Sequence, residues 1–199
     1  VVGSGIAAAR LSPADAGLQL LENALATSMG LAVLIAVFQP ISGAHLNPVV
    51  SLVDIAAGRR PWGDALGYLP AQLAGGVAGA VLANAMFGVP TTINTTQRLS
   101  WGHALAEVVA TTGLVLVVFV LTRTGRSSWA APAVGAYIGA AYFFTSSTSF
   151  ANPAVTLGRV FSDTFAGIDP ASALGFAVAQ LVGGALGLGL VLLLAPERR

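Results

Sequence analysis

Cysteine and lysine are both missing from this 199-residue chain, and histidine occurs only at His45 and His103. Without Cys there is no disulfide, thiol nucleophile or thiolate metal site, and two His residues are too few for an imidazole metal cage. Charge is equally scarce. Only 9% of residues are ionic, every cation is Arg, and a formal net charge of +1 leaves no basic footprint for nucleic acid. Soluble domains average about 25% charged and about 45–50% apolar residues. A hydrophobic content of 55% and a mean hydropathy of +0.81 therefore exclude a water-soluble globular domain.

What the chain does have is long apolar runs. A helix needs about 20 predominantly apolar residues to cross a bilayer, and five stretches qualify: Leu18 to Phe38, Leu66 to Phe87, His103 to Leu121, Ala133 to Phe144 with its flanks, and Ala171 to Leu194. Two further segments, Pro48 to Ala57 and Pro153 to Phe161, are too short to cross and follow loops rich in Ser, Thr, Gly and His. They read as re-entrant half-helices, since irregular backbone at membrane depth is tolerated only where protein or a water-filled cavity satisfies it. Two short surface helices are the plainer alternative. At the start, Val1 to about Ala7 reads as the tail of a span, followed by a polar loop from Ala9 to Gly17 and lacking the basic flank of a signal peptide.

The chain repeats itself. At one constant offset Gly30 falls on Gly135, Ser42 on Ser147, Asn47 on Asn152, Pro48 on Pro153 and Leu52 on Leu157. At nearly the same offset Gln72-Leu-Ala-Gly-Gly76 answers Gln180-Leu-Val-Gly-Gly184. Residues 1–97 and 98–199 thus form two copies of one unit, span, span, half-helix, span, within a single domain. The second copy has a whole first span, so the spacing predicts that about 15 to 20 residues of the first copy's equivalent stand outside this sequence. An odd number of spans per copy inverts the copies across the membrane, an arrangement that builds central pathways in channels and transporters.

Arg placement supports one orientation. Arg59, Arg60, Arg123, Arg126, Arg198 and Arg199 fall in loops on one side, and Arg10, Arg98 and Arg159 on the other. Cytoplasmic loops carry the excess of cations, which puts the first group inside. Trp62, Trp101 and Trp129 fall at span ends, where aromatic belts form.

Each half-helix opens with Asn-Pro. Asn is a favoured N-cap and Pro is preorganised for the first helical position. If both begin near the midplane, their unsatisfied N–H groups and positive dipole ends face one pathway. A cation or proton meets a positive potential there, whereas a neutral hydroxylated solute finds donors from the Asn47 and Asn152 amides.

Ser42-Gly-Ala-His-Leu-Asn-Pro-Val-Val50 and Ser149-Phe-Ala-Asn-Pro-Ala-Val155 resemble the two signature loops of the aquaporin and glycerol-facilitator (major intrinsic protein) family, and the likeness extends to Glu107-Val-Val-Ala-Thr111. The resemblance implies an all-α membrane fold of six spans, the first incomplete here, plus two half-helices around one pore per subunit. It also implies no cofactor, a homotetramer, and residence in a bacterial inner membrane. The Asn-Pro motifs are Asn47, Pro48, Val49 and Asn152, Pro153, Ala154, so Val49 replaces the family's usual Ala. A second departure lies at Val155, where the family usually has Arg in its outer constriction.

Counting back as in the family puts the remaining constriction positions at Ser149, near Ala140 and near Thr27, the last two within about a helical turn. Thr, Ala, Ser and Val form a small, weakly polar set where water-selective members of the family typically have Phe, His and Arg. This predicts a wide filter that passes water and small neutral solutes such as glycerol or arsenite. Thr145-Ser-Ser-Thr-Ser149 also resembles bacterial members linked to arsenic resistance.

By the same resemblance His45 faces the inner vestibule and braces the first loop, with pH sensing as the alternative, and Glu107 anchors a re-entrant loop through backbone N–H groups. No nucleophile or metal constellation accompanies Glu107, so the chain is not expected to be an enzyme. Arg159, one turn beyond Val155, either leans into the outer vestibule or pairs with Asp163 at the surface. Gly75 with Gly79 and Gly183 with Gly187 match the small-residue spacing of close helix packing. Asn94-Thr-Thr matches a glycosylation sequon in an outer loop. The rival classes are a secondary transporter, which needs intramembrane coupling groups beyond Glu107, and a structural lattice protein.

Overall fold

The computed structural model describes residues 1–196, and Arg198 and Arg199 lie outside the described residues. The helices are α1 (Val2–Leu11), α2 (Ala16–Ser42), α3 (Pro48–Ala56), α4 (Gly63–Met86), α5 (Trp101–Arg123), α6 (Ala130–Phe144), α7 (Pro153–Val160) and α8 (Pro170–Leu194), with a 3₁₀ turn at Ser127–Trp129 before α6. Polar side chains set most of the starts. Asp15 accepts from the Leu18 N–H at 2.9 Å to open α2, and Ser100 accepts from the His103 N–H at 3.1 Å to open α5. Asp169 caps α8, whose first residue is Pro170. Gly43, at φ +75°, ends α2 in the left-handed conformation that glycine adopts without a Cβ penalty.

Four helices, α2, α4, α5 and α8, are long and apolar enough to cross a membrane. The fifth expected span, α6, has 15 residues and is extended at its start by the 3₁₀ turn. Both half-helices lie where the sequence puts them, ending at Ala56 and Val160. The first loop is shorter than expected. The alanine run keeps α1 helical to Leu11, and only residues 12–15 separate it from α2.

The two halves share one succession of elements, α1 to α4 and α5 to α8, and the half-helices α3 and α7 touch each other. The most extensive pairings are α5 with α8, α2 with α6, and α4 with α7. In lipid there is no hydrophobic drive between helices, so small residues decide how near they come. A Cβ on Gly183 would lie 2.6 Å from the Val108 carbonyl oxygen, one on Gly187 2.7 Å from Val115 Cβ, and one on Gly135 2.7 Å from the Ser28 carbonyl oxygen. Gly75 and Gly79 do not follow this pattern, since both face open space. In the first half it is Gly76 that meets a neighbour, the Ala154 backbone of α7.

Apolar side chains turned away from the bundle stay exposed, among them Leu25, Met29 and Val33 on α2 and Leu174, Val178 and Leu193 on α8. Such faces suit lipid. Trp62, Trp101 and Trp129 are exposed at the starts of α4, α5 and α6, in keeping with interfacial aromatic belts.

Candidate functional site: a cavity between two half-helices

Asn47 and Asn152 organise the centre of the molecule. The Asn47 side-chain oxygen accepts from the Val49 N–H at 2.9 Å, and the Asn152 oxygen accepts from the Ala154 and Val155 N–H groups at 3.0 and 3.3 Å. These bonds orient each amide nitrogen. Asn47 Nδ2 donates to the Ala151 carbonyl at 2.7 Å, and Asn152 Nδ2 donates to the Leu46 carbonyl at 2.9 Å. Each Asn therefore ties the tip of its own half-helix to the residue preceding the other Asn. One N–H proton on each amide remains for a solute.

A second symmetric layer backs the first. Ser51 Oγ donates to the Asn47 carbonyl at 3.2 Å and accepts from Gln72 Nε2 at 2.8 Å. Thr156 Oγ1 donates to the Asn152 carbonyl at 2.8 Å and accepts from Gln180 Nε2 at 3.0 Å. Sequence reasoning had the Gln pair only as a repeat marker and missed Ser51 and Thr156 altogether. Their signal is the position four residues after each Asn, where a hydroxyl reaches back to the preceding turn's carbonyl.

Glu107 is fully buried in α5 and collects four donors. The Ser147 hydroxyl (2.6 Å) and the Phe150 N–H (2.9 Å) reach Oε1, while the Ala151 N–H (2.8 Å) and Gln180 Nε2 (2.6 Å) reach Oε2. The loop it holds carries Thr148, Ser149 and Ala151 at φ +62°, +51° and +47°. Non-glycine residues are uncommon there, and each costs about 1–3 kcal/mol. Ala44, the repeat counterpart of Ser149, has the same φ of +51°.

In the first loop His45 sits beside Ser51, with Nδ1 at 3.1 Å from its hydroxyl, and its Nε2 lies 3.4 Å from Asp54 Oδ2. Asp54 also pairs with Arg59 at 2.9 Å and Arg60 at 3.1 Å, and Arg60 reaches Asp64 at 3.3 Å. His45 is thus part of a braced charge cluster at the end of the first half-helix. His103 is engaged with the Arg98 carbonyl at the start of α5.

A cavity of about 880 Å³ runs between the half-helices and α2, α4, α5 and α6. Asn47, Asn152, Thr27, Ser149, Val155, His45 and Arg159 all line it. Val49 and Ala154 are buried at the packed tips, with Pro48 and Pro153 at the first helical positions. The expected constriction position Ala140 does not reach the cavity. It lies on the exposed face of α6, whereas Ile138 and Tyr142, four residues apart and so on one face, line the cavity. Tyr142 donates to Thr27 Oγ1 at 3.3 Å, linking α6 to α2.

Arg159 does not pair with Asp163. It is 3% exposed, its Nε donates to the Ala166 carbonyl, and its guanidinium carbon stands 3.4 Å above the Phe150 ring centre. Asp163 instead accepts from Asn94 Nδ2 at 3.1 Å. Asn94 is itself buried, so its amide serves the outer loop and is closed to a glycan.

Two half-helices cross-tied over a cavity inside a bundle of apolar helices define a multi-pass membrane channel. The chain belongs to the major intrinsic protein family, whose model matches residues 1–150. The aquaglyceroporin AqpS of Rhizobium meliloti (strain 1021) is 46% identical over 203 residues, covering 100% of this chain and 85% of its own. Glycerol uptake facilitator protein 3 of Lactiplantibacillus plantarum is 33% identical over 116 residues, 50% of this chain and 48% of its own. The chain spans about half the length of several other curated relatives it matches. Among solved structures, the aquaglyceroporin from Plasmodium falciparum superposes with a TM-score of 0.75 at 20% identity over 96% of this chain and 88% of its own, a likeness of fold.

Proposed function

We propose that this channel passes water and small neutral hydroxylated solutes, glycerol and metalloid hydroxides such as arsenite among them, down their gradients. The reciprocal bonding of Asn47 and Asn152 carries this reading. It fixes two amide donors beside the positive ends of two half-helices, so a neutral oxygen is received and a cation is repelled. Similarity to an aquaglyceroporin and to a glycerol uptake facilitator supports it.

In this reading residues 1–97 and 98–199 are the two repeats of one channel domain. Thr27, Ser149, Val155 and Tyr142, the last taking the place of Ala140, form a wide constriction. His45 and Glu107 hold the loops. The exposed apolar faces of α2 and α8 meet lipid or neighbouring subunits of a homotetramer. Asp54 on α3 is paired with Arg59 and Arg60, Glu22 on α2 accepts from the Ser12 hydroxyl, and Glu107 is engaged in bracing a loop, which disfavours a coupled transporter.

Stopped-flow light scattering on proteoliposomes tests the reading. Glycerol and water flux that is non-saturable and gradient-driven is the expected result. Water flux without glycerol flux would overturn the wide constriction, and no flux of either would overturn the channel.

A further inference from the structure

Val155 leaves the outer constriction without a cation at the family's usual place, while Arg159 stands one turn further along the same half-helix. Arg159 follows Val155 by four residues, so the two share one face of α7, separated along the axis by about 6 Å, just over one turn. Helical side chains lean toward the helix N-terminus. An Arg one turn further out is long enough to bring its charged end back toward the level of Val155. The contacts agree: the Arg159 guanidinium lies on the ring of Phe150, the neighbour of Ser149, and lines the cavity alongside Tyr142 and Val155.

Two further observations make this a site. Arg159 has no carboxylate partner among the described residues. Its one hydrogen bond is from Nε to the Ala166 carbonyl, and neither terminal nitrogen has an acceptor among the described residues. A buried cation without a partner is costly unless it serves a polar ligand. Ser149, one of the residues around the cavity, carries a buried hydroxyl that has no hydrogen-bond partner among the described residues, and it directly precedes the Phe150 ring on which Arg159 lies. Arg98 helps hold the wall, its Nε and Nη2 bonded to the Gly167 and Phe165 carbonyls on either side of Ala166.

We propose that Arg159 supplies the fixed cation of the outer constriction from one turn beyond its usual position, and that its terminal nitrogens and the Ser149 hydroxyl together bind the oxygens of a neutral hydroxylated solute. The inference rests on the channel reading above. Moving the anchor out by a turn keeps the positive potential while Val155 leaves the bore wide.

The test uses proteoliposomes of the full chain, measuring water, glycerol and proton flux on the same preparation. Wild-type protein is expected to pass water and glycerol while holding a pH gradient. Absence of water and glycerol flux would sink the channel reading, whereas free proton leak through a glycerol-conducting wild type would leave the solute channel standing and overturn both the repulsion of cations at the half-helix ends and the role of Arg159. Arg159→Gln keeps a donor for the Ala166 carbonyl but removes the charge, and is expected to raise the ratio of proton leak to water permeability by about tenfold or more. Arg159→Lys is expected to hold the gradient as wild type does. Ser149→Ala, which leaves Arg159 in place, is expected to lower the glycerol-to-water permeability ratio about threefold, a loss of roughly one hydrogen bond. Arg159→Gln with an unchanged ratio of proton leak to water permeability, or Ser149→Ala with an unchanged glycerol-to-water ratio, would overturn the corresponding half of the proposal.

Discussion

Val49 and Gly184 fit as knob and hole: a Cβ added to Gly184 of α8 would collide with Cγ1 of Val49 at the tip of α3. The opposite half uses the same contact with different atoms, since a Cβ on Gly76 of α4 would collide with the carbonyl of Ala154 at the tip of α7. The two extra methyl groups of Val49 relative to Ala are thus accommodated by a glycine on the facing helix and leave the half-helix tips in contact.

This relationship predicts coupling. Gly184→Ala alone forces Val49 to move and should cost about 1–3 kcal/mol, as overpacking does. In a Val49→Ala background the new methyl group would find the residue 49 Cβ at 3.8 Å and Val53 at 3.5 Å, ordinary contact distances. Most of the penalty should then vanish. Thermal melts of the four proteins in detergent measure it, and additive effects within about 0.5 kcal/mol would show that the fit has no energetic content.

Glu107→Gln replaces one of two acceptor oxygens with an NH₂ group that faces donors. Of the four groups converging on the carboxylate, two are backbone N–H groups of a loop held in left-handed conformations. Leaving buried donors unpaired costs about 1–3 kcal/mol each. The variant should therefore melt lower, and it should lose water conductance, since Ala151 presents the carbonyl that Asn47 holds. A variant with normal flux would mean that the loop keeps its shape without Glu107.

Much of this architecture could be read from sequence because it depends on short-range rules. Asn-Pro starts both half-helices, apolar length marks the spans, and the internal repeat predicts that Asn47 and Asn152 face each other. The errors have a common origin in helix rotation. Ala140 is one register step away from the lining pair Ile138 and Tyr142, and counting residues back across an irregular loop does not fix rotation to better than a turn. The same holds for Gly75 and Gly76, neighbours of which only the second meets α7. Arg159 was undecided for another reason: its i, i+4 relation to Asp163 breaks because α7 ends at Val160, so the two never share a helical face.

Asp169 offers a pH-dependent test at the start of α8. Hydrogen bonds from Ser172, then from the Ser172 and Ala171 N–H groups, hold its carboxyl below the ordinary range despite some opposing desolvation. A depressed folded pKa gives stability that is present above the unfolded value, about 3.9, and is lost as pH falls through the folded one. Asp169→Ala should cost about 1 kcal/mol at neutral pH, the usual value of an N-cap. The gap between variant and wild type should close at pH values well below 4. A gap that does not change with pH would assign the effect to something other than the ionised cap.

Tyr142 and Thr27 mark the face of α6 that lines the cavity. The Tyr142 hydroxyl reaches Thr27 Oγ1 at 3.3 Å and both side chains line the cavity, whereas Ala140 points to the exposed side. Thr27→Phe puts a ring into the constriction between α2 and α6. It should lower glycerol flux by about tenfold or more, equivalent to a barrier of at least about 1.4 kcal/mol, while water, being smaller, loses much less. Tyr142→Ala should act in the opposite sense and admit four- or five-carbon polyols that wild type excludes. Ala140→Phe, on the outer face, should change neither flux. Solute panels by stopped-flow distinguish the cases directly: a large glycerol loss in Ala140→Phe, with Tyr142→Ala silent, would mean that α6 is rotated by roughly half a turn from the arrangement described.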